Sequence, residues 1–287
     1  MKTLAEQVNE IKSADSSKSA KVEALVKLGL MRHEISIILK DCPTAVRTIC
    51  TFGVEIECFI ARANVASTFN SNNVNYQYES YNHTDNKKYY KFVTDGSVQG
   101  YDDAIECVSP VLKGATGMKS LKACCKSLNE GNAKVNKTCG LHIHVGGIKT
   151  EKQYVNVFKN YKMLESLIDT FMAESRRADN AYYCQSIKRF SYTNCESIRD
   201  VHNVMGTKRY FKVNHLAYSR HQTIEFRQHQ GTTDFEKISN WANFCMKLVA
   251  WSLNNVLTDE VRDINDVPFL NANEKAFFKG RIEHFNA

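Results

Sequence analysis

The spacing of apolar positions changes near residue 50, and the change divides the chain. Between residues 19 and 40, Val22, Leu25, Val26 and Leu28, then Ile35, Ile38 and Leu39, recur at helical spacing on either side of Gly29. That pattern predicts two short helices around a turn. Pro43 ends the second, and residues 44–50 suit a third helix before a strand begins. The unit resembles a helix-turn-helix, a pattern that any helical hairpin gives. Its first 50 residues hold 8 Lys/Arg against 6 Asp/Glu, without the basic footprint of a DNA reader.

From Thr51 onward, short β-rich runs predict strands at 52–60, 88–94, 104–109, 141–145, 209–214 and 223–228. Longer periodic runs predict helices over 117–129, 152–174, 234–257 and 273–284. Strands and helices do not alternate strictly, which predicts an α+β sheet rather than a doubly wound parallel one. Residues 70–87, rich in Asn, Tyr and Ser, read as a surface loop. The division is thus a helical appendage over 1–47 and one large domain over 48–287.

Three predicted strands each carry two functional side chains at i and i+2, which in a strand share a face. They are Glu55 and Glu57, His142 and His144, and Glu225 and Arg227. Their neighbours Val54, Ile56, Ile143, Val145, Ile224 and Phe226 are apolar and suit burial on the opposite face. Glu106, between Ile105 and Cys107, adds a fourth strand with an acidic group. Carboxylates gathered on one sheet face repel one another and raise their own pKa values unless cations neutralise them. Glu55, Glu57, Glu106 and Glu225 are hard oxygen ligands that suit Mg2+ or Mn2+. His142 or His144 completes such a site or binds phosphate. Arg227 supplies a planar cationic fork for charge developing on a transferring phosphoryl group.

Composition narrows the class without choosing the chemistry. The 287 residues are 43% hydrophobic and 24% charged with 3 prolines, which excludes a disordered or fibrous chain. The N-terminal stretch lacks a signal-peptide core and no run reaches the length of a membrane span, so a cytoplasmic location is expected. Ten scattered cysteines read as reduced core thiols, and the adjacent Cys124 and Cys125 suit neither an ordinary disulfide nor a zinc clip. The net charge of +7 favours anionic ligands such as nucleotides or nucleic acid.

Several stretches together resemble the amidoligase family, a branch of the glutamine synthetase-like carboxylate–amine ligases. They are Phe52 to Glu57 (FGVEIE), Asp95-Gly-Ser97, Ile105 to Pro110 (IECVSP), Cys139 to Gly146 (CGLHIHVG), Arg209-Tyr210 with Val213-Asn214, and Thr223 to Thr232 (TIEFRQHQGT), followed by Lys237 to Trp241. They run in the family's order across roughly residues 51–250. The resemblance implies a curved, mostly antiparallel sheet holding ATP and two or three divalent ions, with helices on its outer face. It implies Glu55, Glu57, Glu106, His142 and Glu225 as metal ligands, His142 also touching phosphate, and His144 near the nucleotide. Arg227 would contact the γ-phosphate or an acyl phosphate, and Arg209 a phosphate or substrate, with Arg227, Glu225 and Glu55 at the reaction centre. Asp95 joins the site by the same analogy. The implied reaction activates a carboxylate with ATP and Mg2+ and passes it to an amine, either substrate being a small molecule, a peptide or a protein. Residues 76–91 and 182–194, the latter with Arg189, are expected to cover the site.

Two other readings stand beside this one. His142, His144 and a carboxylate suit the zinc or iron of a hydrolase or oxygenase. Alternatively, the N-terminal helices contact nucleic acid or a protein partner and the large domain is not catalytic.

Overall fold

The computed structural model describes residues 2–14, 16, 18–30, 35, 39, 50–80, 82, 84, 88–94, 96–100 and 103–286. In chain order the elements are α1 (Leu4–Ser13), α2 (Lys18–Lys27), β1 (Thr51–Phe59), α3 (Arg62–Ser71), β2 (Tyr76–Tyr78), β3 (Tyr90–Val93), β4 (Ala104–Val108), β5 (Leu112–Lys113), α4 (Gly114–Glu130), β6 (Gly140–Gly146), α5 (Glu151–Thr170), α6 (Ile198–Met205), β7 (Val213–Asn214), α7 (Ala217–His221), β8 (Thr223–Gln230), α8 (Phe235–Trp251) and α9 (Ala272–Asn286).

The strands form one open sheet in the order β2-β3-β4-β1-β6-β8-β7, with β5 paired to β1. Every pairing is antiparallel except β2 with β3. This is the α+β architecture that the irregular alternation of elements predicts. Phe52, Val54 and Ile56 of β1, Ile143 and Val145 of β6, and Ile224 and Phe226 of β8 are buried in one core with residues of α4, α5 and α8. Burying side chains of this size stabilises the fold by about 1.5–3 kcal/mol each. Alternation along each strand then leaves the polar set on the face away from those helices.

Several boundaries differ from the sequence expectation, for local reasons. Tyr76 and Tyr78, inside the predicted surface loop, form an edge strand because their rings pack on Phe69 and Phe92 at centroid distances of 5.6 and 5.3 Å. The 234–257 helix stops at Trp251 because α5 captures the following backbone: Asn156 Nδ2 donates to Ser252 O, Asn160 Nδ2 to Asn255 O, and Leu257 N–H to Asn160 Oδ1. The 152–174 helix ends at Thr170, and Glu174–Arg176 forms one separate 3-10 turn. Within 209–214 only Val213 and Asn214 pair with β8, since Gln185 bridges Phe211 instead. The short helices α3, α6 and α7 fall in segments where the apolar pattern predicts none.

Near the N-terminus, Leu25, Ile35 and Leu39 are buried with Val8, Ile11, Val22 and Leu30 in a core of their own. Gly29 (φ +85°) closes α2 in a Schellman motif, with Leu30 N–H donating to Leu25 O and Gly29 N–H to Val26 O. Val26, expected on the apolar stripe, is exposed. The helix expected over 44–50 lies outside the described residues apart from Cys50. Helix α1, which the apolar spacing did not predict, starts at a capping box between Thr3 and Glu6.

Candidate metal and anion site

Strand register assembles the site. Glu55 stands opposite His142, Gly53 opposite His144, and Glu57 opposite Glu106. His144 stands opposite Glu225, and Glu225 opposite Asn214. Directly opposed residues have Cβ atoms roughly 4.5–5.5 Å apart, so five strands deliver one contiguous polar row.

His142 Nδ1 lies 3.0 Å from Glu55 Oε2 and 3.7 Å from Glu225 Oε1, and its Nε2 lies 3.7 Å from Glu57 Oε1. Since an ionised carboxylate only accepts, the proton between His142 and Glu55 sits on Nδ1. His144 Nδ1 pairs with Thr223 Oγ1 at 2.9 Å. Its Nε2 is buried, 3.2 Å from Glu55 Oε1 but outside hydrogen-bond geometry. Two groups of ligand atoms fall within 4.8 Å of one another: Glu55, Glu106 and His142, and Glu55, His144 and Glu225. Glu55 belongs to both. Buried carboxylates around an unsatisfied imidazole nitrogen suit divalent cations.

Electrostatics keep this set charged. Burial alone would raise the Glu55 carboxyl, but the His144 charge and the hydrogen bond from His142 hold it well below the usual carboxylate range. Glu225 is likewise opposed by burial and brought down to about 2, chiefly by the Arg227 guanidinium. Burial disfavours the His144 imidazolium, yet the Glu55 carboxylate raises its pKa to about 9.

Arg227 is fixed from two sides. Its Nη1 donates to Glu225 Oε1, and its Nε donates to the Tyr183 carbonyl at 3.3 Å. Among the described residues its Nη2 has no acceptor. Asn214 Nδ2 donates to the other Glu225 oxygen. The β6–β8 register shifts by one residue between Leu141↔His229 and Ile143↔Phe226. Simple alternation would set His229 beside Glu225 and Arg227. The shift instead buries it against Trp241, where desolvation lowers its pKa to about 3.

Glu57 is set deeper. Its Oε2 accepts from Gly140 N–H at 2.5 Å, and it lies outside both three-residue groups. A Cβ on Gly140 would stand 2.9 Å from His142 Nε2, 3.4 Å from Glu57 Oε2 and 3.6 Å from Arg176 Nη1. The glycine therefore lets these groups converge. Arg176 is buried and donates from Nη2 to Cys139 O at 2.7 Å.

Above the row lies a cavity of about 790 Å³ lined in part by Glu55, Glu106, His142, His144, Glu225 and Arg227. Arg209 and Arg220 stand on its wall, with the Arg209 guanidinium 5.5 Å from the Tyr210 ring centroid. Of the expected covering segments, 76–91 contributes Asn82, Thr84 and Lys91, and 182–194 contributes Tyr183. Arg189 does not line the cavity, and its guanidinium packs over Phe190 and Phe211. Asp95 lies outside the described residues. Sequence reasoning missed Thr223, Tyr183, Gly140 and Arg176 as site residues. Thr223 shares the Glu225 face and Gly140 the His142 face by simple alternation, whereas Tyr183 and Arg176 sit in turns without periodicity.

The nine described cysteines are buried and unpaired, and among the described residues no helix is long and apolar enough to cross a membrane. The sequence model of a family described as "putative amidoligase enzyme" matches residues 48–249. No curated protein matches the chain.

Proposed function

Because the chain belongs to the amidoligase family, whose description points to amide-bond formation, we propose that it joins a carboxylate to an amine using ATP and Mg2+, through an acyl phosphate. The observation that carries this reading is the pair of three-residue groups sharing Glu55, with Arg227 held beside them on Glu225. Two histidines and a carboxylate in one group would favour a zinc hydrolase. Here His142 and His144 fall in separate groups bridged by Glu55.

Glu55, Glu106 and His142 would hold one cation, and Glu55, His144 and Glu225 the other. Mg2+, or Mn2+ in its place, supplies charge neutralisation for the phosphates when bound. Glu225 and Glu55 enter that task already ionised, since their neighbours depress both pKa values. Arg227 directs its Nη2 donors to a phosphoryl or carboxylate oxygen while Glu225 and the Tyr183 carbonyl prevent the fork from rotating. Asn214 fixes the Glu225 carboxylate from the far side. The cavity walls shield an activated carboxylate from water, and its basic residues Arg209 and Arg220 draw in the polyanion.

Hydroxylamine tests the reaction class, since it intercepts an acyl phosphate as a hydroxamate. The purified chain, Mg-ATP, hydroxylamine and a panel of carboxylates should yield hydroxamate with ADP and phosphate. Arg227→Lys, which keeps the charge and loses the fork, should lower that rate by roughly 10² or more. Release of AMP and pyrophosphate would contradict the acyl-phosphate route.

A further inference from the structure

Two adjacent tyrosines stand exposed on a backbone tied down at several points. Tyr182 is 61% and Tyr183 44% exposed, whereas the other exposed large apolar residues described are scattered singly. Beneath them Cys184 is buried, and its N–H donates to Ala181 O. Gln185 N–H donates to Tyr210 O and Lys212 N–H to Gln185 O, both at 2.9 Å, and the Tyr183 carbonyl accepts from Arg227 Nε. The rings of Tyr182, Tyr183 and Tyr210 form one cluster with centroid distances of 5.0–5.4 Å, and Tyr183 stands at 85° to both others. Tyr183, Tyr210, Arg209 and Arg227 line the cavity, and Tyr182 does not. A surface of aromatic rings therefore begins inside the cavity beside two guanidiniums and continues past its mouth.

The chemistry of that corner is selective. Guanidiniums bind an anionic group, and exposed tyrosine faces and edges bind a flat apolar one. Of the two organic substrates of the proposed ligase, the carboxylate donor is the one that the reaction requires to be an anion. A nucleotide also carries an anion and a flat base, but ribose and phosphates separate its base from the γ-phosphate. The Arg209 guanidinium lies 5.5 Å from the Tyr210 ring centroid, and Arg227 Nε is tied to the main-chain carbonyl of Tyr183, so ring and guanidinium share one corner, a spacing that fits a carboxylate a few bonds from its ring. We infer that Tyr182, Tyr183 and Tyr210, with Arg209, form the recognition subsite for the carboxylate donor, and that this donor carries a flat, ring-bearing group close to its reacting carboxylate. The inference rests on the ligase reading.

Calorimetric titration of the full chain, with and without Mg2+ and the non-hydrolysable analogue AMP-PNP, tests it with 3-phenylpropionate, hexanoate and 3-phenylpropionamide. The ring acid should bind about tenfold tighter than either hexanoate or the amide. Tyr183→Ala and Tyr182→Ala should weaken the ring acid, Tyr183→Phe should preserve its binding, and AMP-PNP affinity should stay unchanged in all three. Both tyrosines are exposed, so these variants should melt with the wild type. Equal binding of the three probes, or no binding of the ring acid, would overturn the subsite. So would a fall in AMP-PNP affinity in Tyr183→Ala with the ring acid unaffected, which would make the cluster a base platform. If the wild type bound no Mg-AMP-PNP, the ligase reading would fail, and the nucleotide-free titrations would still decide whether the cluster reads a ring-bearing carboxylate.

Discussion

Glu55 Oε2 and His142 Nδ1 meet at 3.0 Å because β1 and β6 pair with these two residues directly opposed. The other Glu55 oxygen faces His144. One carboxylate thus spans both candidate metal groups, each oxygen turned toward a different histidine.

This sharing predicts unequal effects within the cluster. Mn2+ titration followed by calorimetry or electron paramagnetic resonance should resolve two sites in the wild type. Glu106→Gln should remove one of them, since Glu106 belongs to a single group, and Glu55→Gln should remove both. Equal losses in the two variants would mean that Glu55 does not bridge.

Gly140 should tolerate no side chain. Gly140→Ala places a methyl 2.9 Å from His142 Nε2, and relieving the overlap must turn the imidazole or move the strand. Metal affinity should fall roughly 10–100-fold and stability by about 1–3 kcal/mol, measured by Mn2+ titration and urea unfolding.

Behind the site, Lys212 is fully buried with Glu165 at 3.0 Å and Asp169 at 2.6 Å. The same network holds Gln228, which donates to Asp169. Lys212→Met would leave two carboxylates without their cation and should cost about 3–5 kcal/mol in urea unfolding. Lys212→Arg should lose less if the guanidinium can reach both acids.

Mild acid should destabilise the fold through two buried histidines. Burial lowers His215 to about 4 and His229 to about 3, against about 6.5 in the unfolded chain. Below pH 6.5 the unfolded state takes up protons that the folded state refuses, so stability present above 6.5 is lost as pH falls toward these folded values. The loss through His215 alone is on the order of 3 kcal/mol. Thermal melts from pH 7 to pH 4 should show the decline, and His215→Asn should flatten it.

The sheet and most of its chemical face were legible because both follow period two. In Val54-Glu55-Ile56-Glu57, Leu141-His142-Ile143-His144 and Ile224-Glu225-Phe226-Arg227, each apolar neighbour fixes which way the polar residue points. Long-range pairing was not legible. Nothing local says that Glu55 opposes His142, that Asn214 reaches Glu225, or that a register shift sends His229 into the core. Gly140 falls on the His142 face but has no side chain to mark it, Arg176 gave no periodic signal, and their part in the site exists only once β1, β6 and the turn after α5 are brought together. The edge strand at Tyr76–Tyr78 was hidden by an Asn-rich, loop-like composition, and its stability comes from rings on α3 and β3.

Thermal stability of the wild type and of Glu55→Ala, each with ATP, with Mg2+ and with both, tests the central claim most directly. At ligand concentrations near a hundred times the dissociation constant, the combination should raise the wild-type melting temperature by roughly 5 °C or more. Neither component alone should match that shift, and Glu55→Ala should lose it. An equal shift in the variant, or no shift in the wild type, would contradict a nucleotide and metal site centred on Glu55.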